Sequence, residues 1–307
     1  MDITAYIPIK FDRLRMNFII NSLKKNNYNI KFSILKNETH YFSNLGASTY
    51  MILETKKGKC FIEAFDRIFE FSELGAKECD WYFKVNLCNS KTIQNIDKNS
   101  PAGNYNFKDW NIFYEKYKHK LIPLNQTREQ LIIYKPIKLK KKYIISTYSM
   151  GHGDKSEYGK NRDNIYKIIK SVLGDKFNLK KADIYNYKLF SNSKSLSYNE
   201  YLKLLSESYF MIYFTGKGLG MPFRICDGYL SNCALLGEHI YTDAGSTFPI
   251  LDFGWKLHEN FLNEEETIKK LKHLMNNYED IYSSYIHKQR EWFKKNININ
   301  TFYKQFI

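Results

Sequence analysis

The sequence contains no CxxC pair, no repeat at a fixed period, and no apolar stretch approaching the roughly 18–20 residues that a bilayer-spanning helix needs. Its most apolar run, 209–214, is only as long as a strand. The first residues, MDITAYIPIK, lack the basic start, apolar core and small-residue cleavage site of a signal peptide, so a cytoplasmic location is expected. The five cysteines (Cys60, Cys79, Cys88, Cys226 and Cys233) are too dispersed for a zinc site. An odd number without a secretion signal reads as buried free thiols. No GK[ST] follows a glycine-rich run, and no GxSxG or HExxH occurs. The phosphate loop of the P-loop NTPases, the nucleophile elbow and the zinc-protease helix are therefore excluded.

What remains is a chain of 307 residues, 43% hydrophobic and 26% charged, long enough for two modest α/β domains and apolar enough for a core. The net charge of +15 suits polyanionic partners: nucleic acid, an anionic membrane face met peripherally, or nucleotide diphosphates. The abundance of Lys, Asn, Ile, Tyr and Phe also fits A/T-rich coding, with lysines scattered over solvated faces. Seven histidines are dispersed, and His152 alone stands in a glycine-rich context.

The periodicity reads as two strand–helix series. An apolar run at 3–9 predicts a strand, followed by a helix carrying Leu14, Phe18, Ile19 and Leu23 on one side. Short strands are expected at 30–35, 49–54 and 59–65, in a mainly parallel sheet covered by helices. Residues 121–143, with Pro123, Pro136 and the lysines 138 and 140–142, read as a connector. The second series has strands at 143–147, 184–187, 209–214 and 234–241. A polar loop is expected at 148–160, with helices at 164–173, 197–206 and from 223. Ser197 and Glu200 form a capping-box pattern. The C-terminal residues are charged and helical in pattern.

The most informative stretch is 214–243, FTGKGLGMPFRICDGYLSNCALLGEHIYTD. A buried strand enters Gly216-Lys217-Gly218-Leu219-Gly220, and Pro222 stands where a first helical turn begins. Glycines after a strand let the backbone approach a ligand closely. The helix N-terminus offers N–H groups and a positive dipole end to phosphate. Arg224 falls in that first turn, where its fork suits phosphate oxygens. Asp227 lies three residues on, on the same face, placed to accept ribose hydroxyl protons. The same residues also fit a plain strand–helix turn with a helical ion pair. GxGxG alone is a weak dinucleotide signal.

The order strand, glycine-rich turn, Arg, two residues, acid, helix, strand resembles the donor-binding segment of glycosyltransferases of the GT-B architecture. In that family the Arg grips the diphosphate and the acid, usually Glu, grips the ribose; Asp227 is one methylene shorter. The resemblance implies that Gly216, Lys217, Gly218, Arg224 and Asp227 bind the donor. It also implies that the loop 148–162 faces the diphosphate, with Lys155, Lys160 and Arg162 as its basic candidates. In the first half, 60–73 (CFIEAFDRIFEFSE) is similar to the strand–Asp–loop of phage DNA glucosyltransferases, which makes Asp66 the candidate catalytic base. Asp12, in the loop after the first strand, is the second candidate. Residues 80–87 (DWYFKVNL) resemble the DYYFKRN stretch of bacterial glycan transferases, with Val85 in place of Arg.

These readings set the expectation of an α/β fold of two facing Rossmann-like domains (GT-B-like) with a C-terminal helical segment. Residues 1–138 are expected to bind acceptor, 139–282 to bind the nucleotide sugar, and 283–307 to cross back to the first domain. The expected reaction moves a sugar from a nucleotide-sugar donor, a UDP-sugar, to a hydroxyl of a bacterial surface glycan or lipid-linked saccharide. No further cofactor is expected. No two aspartates stand at i and i+2, so a DxD metal motif is missing, and cationic side chains with a helix dipole are left to stabilise the leaving diphosphate. A metal-independent enzyme is expected, and an inverting one where a single carboxylate base acts on the acceptor; the sequence leaves retention open. Two readings compete: transfer to hydroxymethylated bases of DNA, and a non-catalytic nucleic-acid-binding protein using its 25 Tyr and 22 Phe for stacking.

Overall fold

A computed structural model describes residues 1–9, 11, 13–35, 49–64, 68–89, 107–150, 157–182, 197–215, 220–259 and 261–307. It is an α/β molecule with two sheets. The first half contains β1 (Asp2–Ile7), α1 (Arg13–Lys25), β2 (Asn29–Ile34), β3 (Tyr50–Thr55), β4 (Gly58–Glu63), α2 (Glu73–Glu78), β5 (Trp81–Lys84), α3 (Phe107–Tyr117), β6 (Leu121–Pro123) and the single turn α4 (Gln130–Ile133). Its strands lie in the order β2-β1-β3-β4-β5-β6.

One strand departs from the parallel arrangement expected from sequence. β3 runs antiparallel to both β1 and β4. Only Lys56 and Lys57 separate β3 from β4, and a parallel crossover needs a dozen or more residues. Gly58 closes the hairpin at φ 121°, a conformation that L side chains resist. With β3 alone reversed, β1, β2, β4, β5 and β6 point the same way, so their carboxyl ends share one edge.

The second half contains β7 (Tyr143–Met150), α5 (Glu157–Leu173), β8 (Phe177–Ala182), α6 (Tyr198–Ser206), β9 (Ser208–Tyr213), α7 (Arg224–Ser231), β10 (Ala234–Gly237), β11 (Leu251–Asp252) and α8 (Glu264–Asn296). This sheet is parallel throughout, in the order β8-β7-β9-β10-β11. α5 starts earlier than its sequence pattern suggests, so Lys160 and Arg162 lie on a helix and not in a loop. The reason is a longer stripe: Tyr158, Ile165 and Ile169 are all buried at helical spacing. The strand beside β7 is 177–182; the 184–187 stretch lies outside the described residues. Ser197 caps α6 with Glu200 in the capping box read from sequence.

Central strands are buried on both faces, which explains their unbroken apolar runs. Phe210 and Ile212 of β9, with Phe214 just after it, join a core with α5 and α8, while Met211 and Tyr213 face a second core. That second core also takes Met51, Leu53, Ile62 and Phe83 from the first sheet, so it is shared between the halves. α8 docks on β10 through Gln289, whose side chain accepts from Leu235 N at 2.9 Å and donates to Leu235 O at 3.2 Å. Beyond it the chain reaches the first sheet. Phe302 meets Phe18 with ring centroids 5.3 Å apart, and Phe306 meets Phe83 at 4.9 Å.

Candidate functional site

In an open parallel sheet, ligands gather outside the carboxyl ends of the strands, at the point where the strand order reverses. In the second sheet that point lies between β7 and β9, because the chain goes outward to β8 and returns to β9 before continuing to β10. The two glycine-containing stretches read from sequence follow these two strands in the chain. Lys155, Gly216, Lys217 and Gly218 belong to them and lie outside the described residues, as do Asp12 and Asp66.

The described part of this edge centres on the start of α7. Phe223 at the N-cap offers no side-chain hydrogen bond, so the helix start is not capped from within. Arg224 folds its guanidinium back on the strand and donates from Nη1 to Ile212 O at 3.1 Å. Two further arginines come from the first half. Arg128 places its guanidinium 4.9 Å from the Phe223 ring centroid and 4.7 Å from that of Tyr198. Arg15 stands 5.2 Å from the same Phe223 ring and donates to Ala64 O at 2.6 Å, just past the end of β4. Three arginines thus converge near a helix N-terminus whose dipole adds to their positive field.

Asp227 is the carboxylate of this cluster, and it is 4% exposed. Its Oδ1 accepts from Arg128 Nη1 at 3.0 Å and from Tyr198 OH at 2.5 Å, and its Oδ2 accepts from Tyr201 OH at 3.2 Å. Burial pushes its carboxyl above the ordinary range, while Arg128, Tyr198 and Tyr201 pull it back. A ribose contact by Asp227 would compete with these three bonds. Arg162 lies 5.3 Å from the Phe214 ring centroid, beside the end of β9, whereas Lys160 is exposed and paired with Glu157.

Sequence reasoning missed Arg15, Arg128, Tyr198, Tyr201 and Glu238, and gave Asn86, inside the DWYFKVNL stretch, no role of its own. Glu238, just after β10, accepts from Thr215 N at 2.8 Å, Thr215 Oγ1 at 3.1 Å and Leu257 N at 2.9 Å. Burial pushes its carboxyl up to about 7, against those hydrogen bonds and the charge of Arg162. Gly237 makes this possible: at φ 149° it brings β10 so close to β9 that a Cβ would lie 2.0 Å from Tyr213 O. Asn86 follows β5 and accepts from Met221 N at 2.8 Å. Leu87 O accepts from Asp243 N at 2.8 Å, and Asn89 N donates to Asp243 Oδ1 at 3.2 Å. The segment leaving β5 therefore touches the segments that follow β9 and β10.

The strand end before Asp66 is held by charge. Glu63 and Lys84, cross-strand partners on β4 and β5, are both 0% exposed and ion-paired at 2.5 Å. Tyr82 donates to the same Glu63, and Lys84 also donates to Glu70 O. Lys84 of the DWYFKVNL stretch is thus bound inside the first half. Among the described residues, no group of His, Cys, Asp and Glu could hold a metal ion.

No family model and no curated protein matches the chain. Among solved structures it is similar to the crystal structure of TarM, with a TM-score of 0.40 and 12% identity over 74% of this chain and 49% of that one. The chain thus spans about half the length of TarM.

Proposed function

We propose that the protein is a glycosyltransferase that takes a sugar from a nucleotide-sugar donor, a UDP-sugar, and passes it to a hydroxyl of a saccharide or lipid-linked glycan. The observation that carries this reading is the start of α7. It is an uncapped helix N-terminus at the reversal point of a parallel sheet, preceded in sequence by a glycine-rich run and flanked by Arg15, Arg128 and Arg224. Such a place suits a diphosphate for two reasons: the helix supplies N–H groups, and the guanidinium forks supply charge-assisted hydrogen bonds.

In this reading Arg224, with Gly216, Lys217 and Gly218, holds the diphosphate, and Lys155 and Arg162 approach it from the side of β7. The two halves form facing Rossmann-like units of the GT-B kind, with chemistry between their carboxyl edges. Asp66 takes the proton from the acceptor hydroxyl as the oxygen attacks the anomeric carbon. The bond to the diphosphate breaks as the cationic groups stabilise the departing charge, and the product is inverted.

Arg224→Ala tests the donor site. A charge-assisted grip on phosphate is worth about 1.5–3 kcal/mol, so UDP affinity measured by calorimetry is expected to fall roughly 10–100-fold. An unchanged affinity in the folded variant would remove the diphosphate from this place.

A further inference from the structure

We propose that residues 132–140, which run from α4 toward β7 along the outside of the molecule, form a surface that docks on an anionic lipid bilayer. This surface is independent of the donor site: it is read from exposure and charge alone.

The stretch is pinned to the body at three points and turned outward between them. Tyr134 lies against Tyr198 of α6, with ring centroids 5.4 Å apart. Ile137 N donates to Leu230 O, in α7, at 2.7 Å. Lys141 Nζ reaches inward to Ser208 O and Asn232 O, at 2.6 Å each. Lys135, Pro136, Lys138, Leu139 and Lys140 lie between these anchors and are exposed. So are Ile132 and Ile133, at the end of the single turn α4. The apolar side chains Ile132, Ile133 and Leu139 are 38%, 64% and 41% exposed. A single exposed apolar residue is ordinary on a protein surface. Several set among lysines match a segment that lies in the membrane interface, where apolar side chains enter the acyl boundary and cations stay at the headgroups.

The charge is one-sided. From 130 to 143 the chain has five lysines and no acidic residue. Glu129, just before, accepts from Asn17 Nδ2 at 2.7 Å. Glu207, near the far end, takes Lys142 at 2.5 Å. Lys135, Lys138 and Lys140 have no carboxylate partner among the described residues, whereas Lys31, Lys116, Lys118 and Lys294 are each paired with one. Each lysine near an anionic lipid surface adds about fivefold to the affinity. Nucleic acid offers the same negative charge but no apolar layer. It would leave Ile132, Ile133 and Leu139 without a partner, and the Tyr134 ring already lies against Tyr198 and is not free to stack on a base.

Co-sedimentation of the full chain with vesicles tests the surface. The chain should bind vesicles of phosphatidylcholine containing roughly a third phosphatidylglycerol, and should stay in solution with vesicles of phosphatidylcholine alone. Lys135→Gln, Lys138→Gln and Lys140→Gln together should weaken binding roughly 100-fold. Ile133→Ser with Leu139→Ser, at unchanged net charge, should weaken it about tenfold or more. Lys31→Gln, Lys116→Gln and Lys118→Gln together remove as much charge from elsewhere on the surface and should bind nearly as the wild type does. All of these side chains are exposed, and circular dichroism checks that each variant is folded. An equal loss in both lysine triples would make the attraction a matter of net charge and overturn the proposal. So would wild-type binding by the Ile133→Ser, Leu139→Ser variant, absence of binding to the anionic vesicles, or binding of duplex DNA in place of the vesicles.

Discussion

Arg15, Arg128 and Arg224 converge on α7 from three distant points in the chain, and only Arg224 stood in a legible motif. Arg128 comes from a stretch that reads as a connector, and its bond to Asp227 ties the two halves together. Asp66 carries the catalytic expectation at this scale. Asp66→Asn keeps the size of the side chain and removes its ability to take a proton. General-base assistance is worth about 100–10,000-fold, so turnover should fall by that order with UDP affinity barely changed. Near-normal turnover would exclude Asp66 and move the test to Asp12. Glu238 makes a separate prediction about pH. Its carboxyl is raised from 4.5 to about 7 in the folded protein. The folded state thus favours the neutral form. The contribution to stability is complete below 4.5 and is lost as the pH climbs through 7. A shift of that size corresponds to about 3 kcal/mol. Urea unfolding between pH 4.5 and 8 should show the wild type losing that much relative to Glu238→Gln; parallel profiles would refute the assignment.

At the scale of elements, local chemistry decides direction and packing decides what is essential. The β3–β4 turn is too short for any connection but a hairpin, and that alone reverses one strand in an otherwise parallel sheet. After α8, Phe306 is 0% exposed against Phe83, and its carbonyl accepts from Thr55 Oγ1 at 2.8 Å. Phe306→Ala should cost about 3–5 kcal/mol, the usual loss for a buried aromatic. Phe261→Ala is the control: that ring is 50% exposed, and its loss should stay within about 0.5 kcal/mol. Equal denaturation midpoints for the two variants would show that the C-terminal segment does not hold the first sheet.

At the scale of the molecule, the charge of +15 is widely distributed. Lys31, Lys116, Lys118, Lys142, Lys160 and Lys294 are paired with carboxylates at the surface, and Lys141 is turned inward onto Ser208 O and Asn232 O. Exposed pairs of this kind add little to stability. In the proposed reading the arginines at α7 have a different part, meeting the charge that develops on the leaving diphosphate. With those cations on the protein and no DxD in the sequence, transfer activity is expected to survive EDTA. Complete loss, restored by manganese, would count against a leaving group stabilised by side chains alone.

The α/β class, the positions of most strands and the helix start at α7 are legible in the linear chain, because they follow from short-range rules. Apolar runs of strand length, a capping box at Ser197 and proline before Arg224 each act within a few residues. The linear chain also singles out Arg224 and Asp227 as neighbours on one helix face. What surrounds them is visible in the folded molecule alone. Arg128 and Tyr198 are far from Asp227 along the chain, and no periodicity links them. The same holds for Asn86 at Met221 and for Glu63 at Lys84. Such pairs depend on strand order and on the approach of two sheet edges, which are set by the packing of both halves into a shared core. A linear pattern carries no information about that approach, because the free energy that selects it comes from surfaces assembled only once the chain has folded.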